Sequence, residues 1–250
     1  MLTQDLLVEG THFRLEWASW RDLGYKAAAV NLSDLAAMGA EPVGLLVGIG
    51  LPGPTTETEV RALYEGLNEP GVAVLGGDTV SAERVTLSVV AVGRSERVPG
   101  RAGARPGDTL VVTGPLGGAA AGLQALERGL EGFGELIERH RRPPIRLDEG
   151  RRLAPVAHAM IDISDGILWD AARIAERSGC KLVVDVESLP MAPRIAEVAE
   201  LPFWSMGEDY ELLAAVTSAD SSTLGFPVVG RVEKGSGVEP SPLGWDAFRR

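Results

Sequence analysis

Six aspartates that lie beside glycines or at the edges of apolar segments are the residues of this chain best suited to chemistry. They are Asp5, Asp34, Asp78, Asp162, Asp165 and Asp209. Carboxylate oxygens suit Mg²⁺, which proteins usually share with substrate phosphates. Each aspartate alone is typical of a cap or a turn. Together they would repel one another without a cation, so they indicate a site for divalent metal and a phosphorylated ligand.

Asp34 lies in the middle of the stretch 20–42, which we predict to be one helix. We expect Asp22 to cap its start, Gly39 to suit its C-terminal turn and Pro42 to prevent its continuation. Apolar residues cover nearly every face, which is typical of a buried helix. A buried carboxylate needs a partner, so Asp34 indicates either a metal ion or base, or an internal hydrogen-bond network.

Strands and helices fill the rest of the chain in two similar halves. We predict strands at 6–8, 43–49, 72–75, 85–92, 109–113, 182–186 and 228–232, the last of the chain. Thr56 and Glu59 form a capping box for a helix that runs to about Asn68. The basic stretch 94–107 is typical of a domain connection, and 139–144 of a solvated break.

Two glycine-rich stretches fit nucleotide-binding loops only formally. Residues 48–53 match G-x-G-x-x-G after a strand, but Pro52 and Pro54 disturb the turn and no acidic residue for a ribose follows. Residues 114–118 lack the Gly-Lys-[Ser/Thr] ending of a P-loop. This second loop is therefore left with two interpretations, a phosphate site or close packing of small residues.

Composition limits the classes of function. The net charge of −11 argues against a nucleic-acid partner, since phosphate backbones are bound mainly by Lys and Arg. The single cysteine, Cys180, rules out an internal disulfide and disfavours a thiolate metal site. No apolar run approaches the roughly 20 residues of a membrane span, and no signal peptide follows Met1. We therefore predict a cytoplasmic protein without membrane or nucleic-acid partners.

Five motifs in a fixed order resemble the thiamine-monophosphate kinase family and span essentially the whole chain. They are residues 5–13, 24–40, 76–79 (Gly-Gly-Asp-Thr), 162–166 (Asp-Ile-Ser-Asp-Gly) and 207–212 (Gly-Glu-Asp-Tyr-Glu-Leu). The Gly-Gly-Asp-Thr motif is shared with the wider superfamily of aminoimidazole ribonucleotide synthase and selenophosphate synthase. The resemblance implies an α+β, two-domain fold of the aminoimidazole ribonucleotide synthase type, in which each domain is a mixed sheet packed with helices. Residues 1–98 would dimerise and bind metal and ATP, and residues 99–250 would form the C-terminal domain.

The resemblance also implies a reaction: ATP-dependent phosphorylation of thiamine monophosphate to thiamine diphosphate by direct in-line transfer. Several Mg²⁺ ions and the positioning of the reactants, rather than a catalytic side chain, would provide the catalysis. The implied metal ligands are Asp5, Asp34, Asp78, Asp162 and Asp165. The implied ATP contacts are Gln4, Gly77, Asp78, Arg101 and Ser164. The implied thiamine monophosphate contacts are His12, Glu208 and Trp245, and the implied partner is a second copy, joined through the sheets of the first domains.

Several alternatives stay open. The family carries a further N-terminal segment with a Gly-Asp-Asp motif, which this sequence lacks. Either the start codon is assigned too late, or this is a short form with one metal ligand missing. Arg101 is open to a second interpretation as a surface linker residue, and Trp245 as a C-terminal core residue. The rival functions are another ATP-using enzyme of the superfamily and a nucleotide-binding protein without turnover. His140 and His158 match no motif and receive no role.

Overall fold

The computed structural model describes residues 1–242, which form two mixed β-sheets packed with helices. The first sheet contains β1 (Leu2–Val8), β2 (Glu41–Leu51), β3 (Val74–Ser81) and β4 (Thr86–Arg94), in the order β1-β4-β2-β3. Strand β4 is antiparallel to β1 and β2, whereas β3 is parallel to β2. Helices α1 (Trp20–Ala37) and α2 (Glu57–Asn68) pack on one face through a core that includes Leu32, Leu63 and Val89.

The other face of this first sheet is exposed although it carries apolar side chains. Leu2 and Leu6 of β1 are 71% and 53% exposed, and Leu46 of β2 is 44% exposed. The alternation of side chains along each strand places these three leucines on the side away from α1. We call this the outer face. An apolar patch of this kind marks a surface for association.

The second sheet has six strands in the order β10-β7-β9-β5-β8-β6. They are β5 (Thr109–Val112), β6 (Ala159–Asp162), β7 (Lys181–Val184), β8 (Leu212–Val216), β9 (Val228–Glu233) and β10 (Gly237–Glu239). The helices of this half are α3 (Gly118–Glu127), α4 (Gly134–Arg141), α5 (Leu147–Leu153), α6 (Ile167–Ser178) and α7 (Ser218–Leu224). The expectation that residues 228–232 form the last strand is wrong, since β10 follows and pairs with β7.

The predicted class is confirmed: the protein is α+β, with mixed sheets packed with helices. The predicted connection 94–107 lies between β4 and β5, and the division into domains at residue 98 stays a prediction.

Among the described residues, every helix is too short or too polar to cross a membrane.

Helix α1 starts with a different cap from the one expected, whereas its C-terminal turn is the expected one. Ser19, not Asp22, is the N-cap: its Oγ accepts from the Asp22 N–H at 3.1 Å, and the Asp22 carboxylate accepts from the Ser19 N–H at 3.2 Å. Asp22 is therefore the reciprocal partner in a capping box. At the other end, the helix stops at Ala37 and Gly39 forms the turn with φ 60°. The predicted stretch 20–42 was too long because only residues 38–40 separate the helix from β2, in which Pro42 already lies.

The Gly-Gly-Asp-Thr motif also differs from its prediction, because it lies inside β3 rather than in a turn after a strand. Gly77 is required there by a close approach of the two strands. A Cβ on Gly77 would lie 1.8 Å from the carbonyl oxygen of Val47 in β2. The motif thus builds the edge of the first sheet.

Residues 139–144 join the two halves of the molecule rather than forming a solvated break. They include the end of α4, and His140 and Leu136 of this helix are buried. The Arg142 guanidinium lies 3.2 Å from Asp22 and 4.0 Å from the centre of the Tyr25 ring, both on α1. Arg142 is thus paired with residues of the first domain, and a local sequence pattern does not reveal such a long-range pair.

Candidate active site

Two loops of the second domain run side by side against α1. The backbone N–H of Glu208 donates to the carbonyl of Ser164 at 2.8 Å, and that of Tyr210 donates to Ile163 at 2.9 Å. Gly207 makes this approach possible, because a Cβ there would lie 2.4 Å from the Ser164 carbonyl oxygen. The 162–166 and 207–212 motifs, which are distant in sequence, therefore form one surface.

An open cavity of about 380 Å³ brings three predicted site residues together, namely Asp34, Arg101 and Asp162. We call it the acidic cavity. Ser33 Oγ donates to Asp162 Oδ2 at 2.8 Å, and the Thr3 hydroxyl donates to Asp34. Two predicted metal ligands and one predicted ATP contact thus line the same cleft, which lies between β1 and α1 on one side and β6 on the other.

Burial and neighbouring carboxylates raise the pKa values of two acids of this region, Asp5 and Asp162. Burial and the charge of Asp34 raise the pKa of Asp5 to about 6. Burial and the charges of Asp34 and Asp5 raise the pKa of Asp162 to about 7, although Ser33 opposes the shift. Tyr210 lies among these acids, and burial followed by the charges of Glu208, Asp5 and Asp162 raises its pKa well above 10. A bound cation would relieve this repulsion.

Asp165 differs from the other predicted ligands because Arg173 forms an ion pair with it. Beneath it lies Asp170, a buried residue of α6 that the sequence analysis missed. Its Oδ2 accepts from the backbone N–H groups of Ser164 and Asp165, each at 3.1 Å. An aspartate in the first turn of a helix after a glycine is a recognisable capping signal. Asp170 thus holds the turn that presents Ser164 and Asp165.

Gln4, Gly77 and Asp78 do not join the acidic cavity within one chain. Strand β3 is separated from β1 by two strands, and the pairing register places Asp78 and Gln4 on the outer face. Gln4 Nε2 donates there to Ser88 Oγ at 2.9 Å. Within residues 1–242, no three His, Cys, Asp or Glu side chains form a group that could hold a metal by themselves. The role of Asp78 as a ligand stays a prediction.

A second cavity, of about 280 Å³, is lined by His12, Glu208, His140 and Trp17. We call it the histidine cavity. The Val8 N–H donates to His12 Nδ1 at 3.0 Å, so the proton of a neutral ring lies on Nε2, which remains a donor. Two of the predicted substrate contacts therefore share one cavity. The third, Trp245, lies outside the described residues, and Trp17 is an aromatic side chain that the sequence analysis did not assign.

Glu208 contacts two basic side chains that the sequence analysis also missed. Lys26 Nζ of α1 lies 3.2 Å and 3.4 Å from its two carboxylate oxygens, and His140 Nδ1 of α4 lies 3.2 Å from Oε2. Burial favours the neutral acid, but the charges of Lys26 and His140 outweigh it and lower the pKa of Glu208 to about 2. Glu208 is therefore ionised at neutral pH.

Helix α1 connects the two cavities. Lys26 and Asp34 are eight residues apart, which separates them by about 12 Å along the helix axis and by about 80° around it. Lys26 contacts Glu208 of the histidine cavity, and Asp34 lines the acidic cavity. Between them, Asn31 Oδ1 accepts from the Asp5 N–H at 3.1 Å and the Ser33 hydroxyl donates to Asp162. The polar residues inside this otherwise apolar helix thus contact residues around both cavities.

Asp209, the sixth aspartate of the sequence analysis, closes the start of α3. Its Oδ2 accepts from the Gly117 N–H at 2.7 Å. Burial raises the pKa of Asp209 to about 8, although this hydrogen bond opposes the shift. A carboxylate already occupies the N-terminus of the helix, and a Cβ on Gly114 would lie 2.5 Å from Glu211 Oε1. Of the two interpretations of residues 114–118, close packing is favoured.

Comparison with known proteins agrees with the predicted fold. Residues 1–95 match the family described as AIR synthase related protein, N-terminal domain, and residues 105–239 match its C-terminal domain. The structure of AaThiL complexed with AMPPCP and TMP superposes on this chain with a TM-score of 0.91 at 35% identity. The superposition covers 99% of this chain and 86% of that one. Hydrogenase maturation protein HypE has a TM-score of 0.81 at 15% identity over 100% of this chain and 89% of that one, which is a likeness of fold alone.

Two relatives show to which family within this fold the chain belongs. The chain is 38% identical to the thiamine-monophosphate kinase of Mycobacterium tuberculosis, over 94% of this chain and 74% of the relative. It is 35% identical to the thiamine-monophosphate kinase of Aquifex aeolicus, over 99% of this chain and 88% of the relative. Identity at this level over most of both sequences confirms the resemblance. The chain belongs to the thiamine-monophosphate kinase family of phosphotransferases.

Proposed function

We propose that this protein transfers the γ-phosphoryl group of ATP to thiamine monophosphate by direct, Mg²⁺-assisted in-line displacement, giving thiamine diphosphate. The observation that carries the proposal is the pair of cavities along α1. One is acidic and lined by Asp34 and Asp162, and the other is lined by His12 and Glu208. In AaThiL, a relative of known structure, AMPPCP and TMP are bound in one complex. We assign the nucleotide to the acidic cavity and thiamine monophosphate to the histidine cavity.

The acidic cavity suits magnesium by the chemistry of its donors. Asp34 and Asp162 line it and offer hard oxygen atoms, and Asp5 lies near enough for its charge to act on Asp162. The ion pairs of this region belong instead to Asp165 and Asp170, both with Arg173. Too few side chains converge to enclose an ion, which is typical of Mg²⁺ shared between one or two carboxylates, water and phosphates. When bound, the metal would neutralise the phosphates of donor and acceptor and so reduce their repulsion.

The chain's own residues then position the reactants. Arg101 lines the acidic cavity and is placed to bind phosphate oxygens there. The loop held by Asp170 presents Ser164 to the same region, and His12 Nε2 is the donor assigned to the acceptor phosphate. No side-chain nucleophile is part of the proposal, because in-line transfer depends mainly on orientation and charge.

A homodimer joined through the outer face belongs to the same proposal. The exposed leucines of β1 and β2 supply the apolar area that association would bury. Gln4 and Asp78 lie on this face, so a second copy seated on it would bring its own polar residues to the edge of β1. The expected result is a dimer in analytical ultracentrifugation and a monomer after Leu6→Lys or Leu46→Lys. A wild-type monomer would contradict it. A cytoplasmic location, where ATP and Mg²⁺ are abundant, also stays a prediction.

The function is tested by incubating the purified protein with ATP, Mg²⁺ and thiamine monophosphate and measuring thiamine diphosphate. Parallel reactions with aminoimidazole ribonucleotide precursors and with selenide test the other enzymes of the superfamily. Thermal stabilisation by ATP without turnover of any substrate would support a nucleotide-binding protein instead. The expected outcome is that thiamine diphosphate forms only when Mg²⁺ is present and that the other acceptors are not phosphorylated. Turnover of another acceptor without turnover of thiamine monophosphate would refute the proposal.

A further inference from the structure

Three side chains from three separate elements meet at the wall of the histidine cavity. Lys26 comes from α1, His140 from α4, and Glu208 from the loop before β8. The side chains of Lys26 and His140 are only 5% and 9% exposed, whereas that of Glu208 is 33% exposed. His140 and Glu208 both line the cavity, and the carboxylate is the more open of the two groups.

This arrangement has features that the fold alone does not require. A buried lysine is costly unless it is paired, and Lys26 has Glu208 as its partner. His140 Nδ1 is buried and lies 3.2 Å from Glu208 Oε2, but it makes no hydrogen bond of good geometry in the described part of the chain. Glu208 adopts φ 65°, a left-handed conformation that is uncommon outside glycine and that clusters at functional sites.

The backbone of Glu208 is held as firmly as its side chain. Its N–H donates to the Ser164 carbonyl, next to the predicted ligands Asp162 and Asp165. Lys26 and His140 are the two groups that contact the carboxylate, and an ionised carboxylate has about four acceptor sites. Acceptor capacity therefore remains for a donor that enters the cavity, such as an amino group on a heterocycle.

We propose that Lys26 and His140 are positioning residues that orient the Glu208 carboxylate, so that it binds an amino group of the heterocyclic end of the substrate. This inference rests on the proposed function, in which thiamine monophosphate occupies the histidine cavity. Neither residue acts on the phosphoryl group. Since Lys26 and Asp34 both belong to α1, the same helix fixes the bound heterocycle relative to the acidic cavity.

The proposal predicts a loss confined to one substrate. For Lys26→Met and His140→Gln, we expect the KM and the Kd of thiamine monophosphate to rise by about tenfold or more, while kcat and the KM of ATP change by less than about threefold. Lys26→Arg, which keeps the positive charge, should retain most of the affinity. Isothermal titration with thiamine monophosphate and with an ATP analogue measures both affinities without turnover.

Matched controls come from pairs outside both cavities. Lys181→Met breaks the pair of Lys181 with Glu239, and His158→Gln breaks the contact of His158 with Asp108, 2.9 Å away. Both control variants should bind thiamine monophosphate as the wild type does. Retained binding of the ATP analogue shows that a variant is folded, and His140→Gln tests the proposal independently if Lys26→Met does not fold.

Three results would overturn the inference. One is unchanged affinity for thiamine monophosphate in both Lys26→Met and His140→Gln. Another is an equal loss of ATP and thiamine monophosphate binding, which would indicate a structural role. A third is a Lys26→Arg variant as weak as Lys26→Met, since the charge would then not matter. A wild-type protein that neither binds nor phosphorylates thiamine monophosphate would instead refute the proposed function, and the inference with it.

Discussion

Replacing Asp34 by asparagine tests the acidic cavity most directly. The change removes one charge and keeps the shape of the side chain and an acceptor for the Thr3 hydroxyl. A carboxylate about 4 Å from a divalent cation contributes roughly 8 kcal/mol at an effective dielectric constant of 20 and roughly 2 kcal/mol at the value of 80 for water. Asp34 is half-buried and its cavity is open, so solvent screening brings the contribution toward the lower figure of about 2 kcal/mol. We therefore expect the rate at limiting Mg²⁺ to fall by about 10- to 30-fold.

The assay is the initial rate of thiamine diphosphate formation across a titration of Mg²⁺. The variant should need more Mg²⁺ for half-maximal rate, and part of its deficit should disappear at saturating metal. Asp148→Asn is the matched control, because it removes the same charge from an exposed residue that pairs with Arg151 on α5. A variant with the rate and Mg²⁺ dependence of the wild type would exclude Asp34 from the site and refute the reasoning.

Three further predictions concern the framework of the site. Burial raises the pKa of Asp209 to about 8, so the folded state binds this proton more tightly than the unfolded chain does. The free energy of unfolding should therefore fall as the pH rises from about 4 to about 8. In urea denaturation across this pH range, Asp209→Asn should make the decline smaller. Gly207→Ala, whose Cβ would lie 2.4 Å from a backbone carbonyl oxygen, should lower both Tm and kcat/KM, whereas Gly53→Ala, with open space around it, should not. Arg146→Met leaves the fully buried Glu211 without its partner at 2.6 Å and should cost about 3–5 kcal/mol in denaturant unfolding; an unchanged unfolding midpoint would contradict this.

The sequence predicts a helix well where the residues that cap it lie close together in the chain. The capping box of Thr56 and Glu59 predicts α2, and Thr56 is its N-cap in the structure. For α1, the same type of signal was assigned to the wrong residue. Asp22 belongs to the capping box, but Ser19 is the cap, and a boundary shift of this size is common when two polar residues compete for one position.

The candidate site was predicted in part. Asp34 and Asp162 do share a cavity, as do His12 and Glu208. The position of Asp78 depends on the order of strands in the sheet, which side-chain patterns within one strand do not specify. His140 was missed for a related reason: its stretch of charges is typical of solvated chain, and its partner Glu208 is 68 residues away in sequence.

Helix α1 fixes the distance between Lys26 and Asp34, which are about 12 Å apart along its axis. Deleting or inserting one residue between them would rotate one of them by about 100° relative to the other. Substitutions in the intervening turns can be absorbed by local repacking, but a change in the number of residues cannot. The eight-residue interval, more than the identity of the alanines within it, therefore sets the separation of the histidine cavity from the acidic cavity.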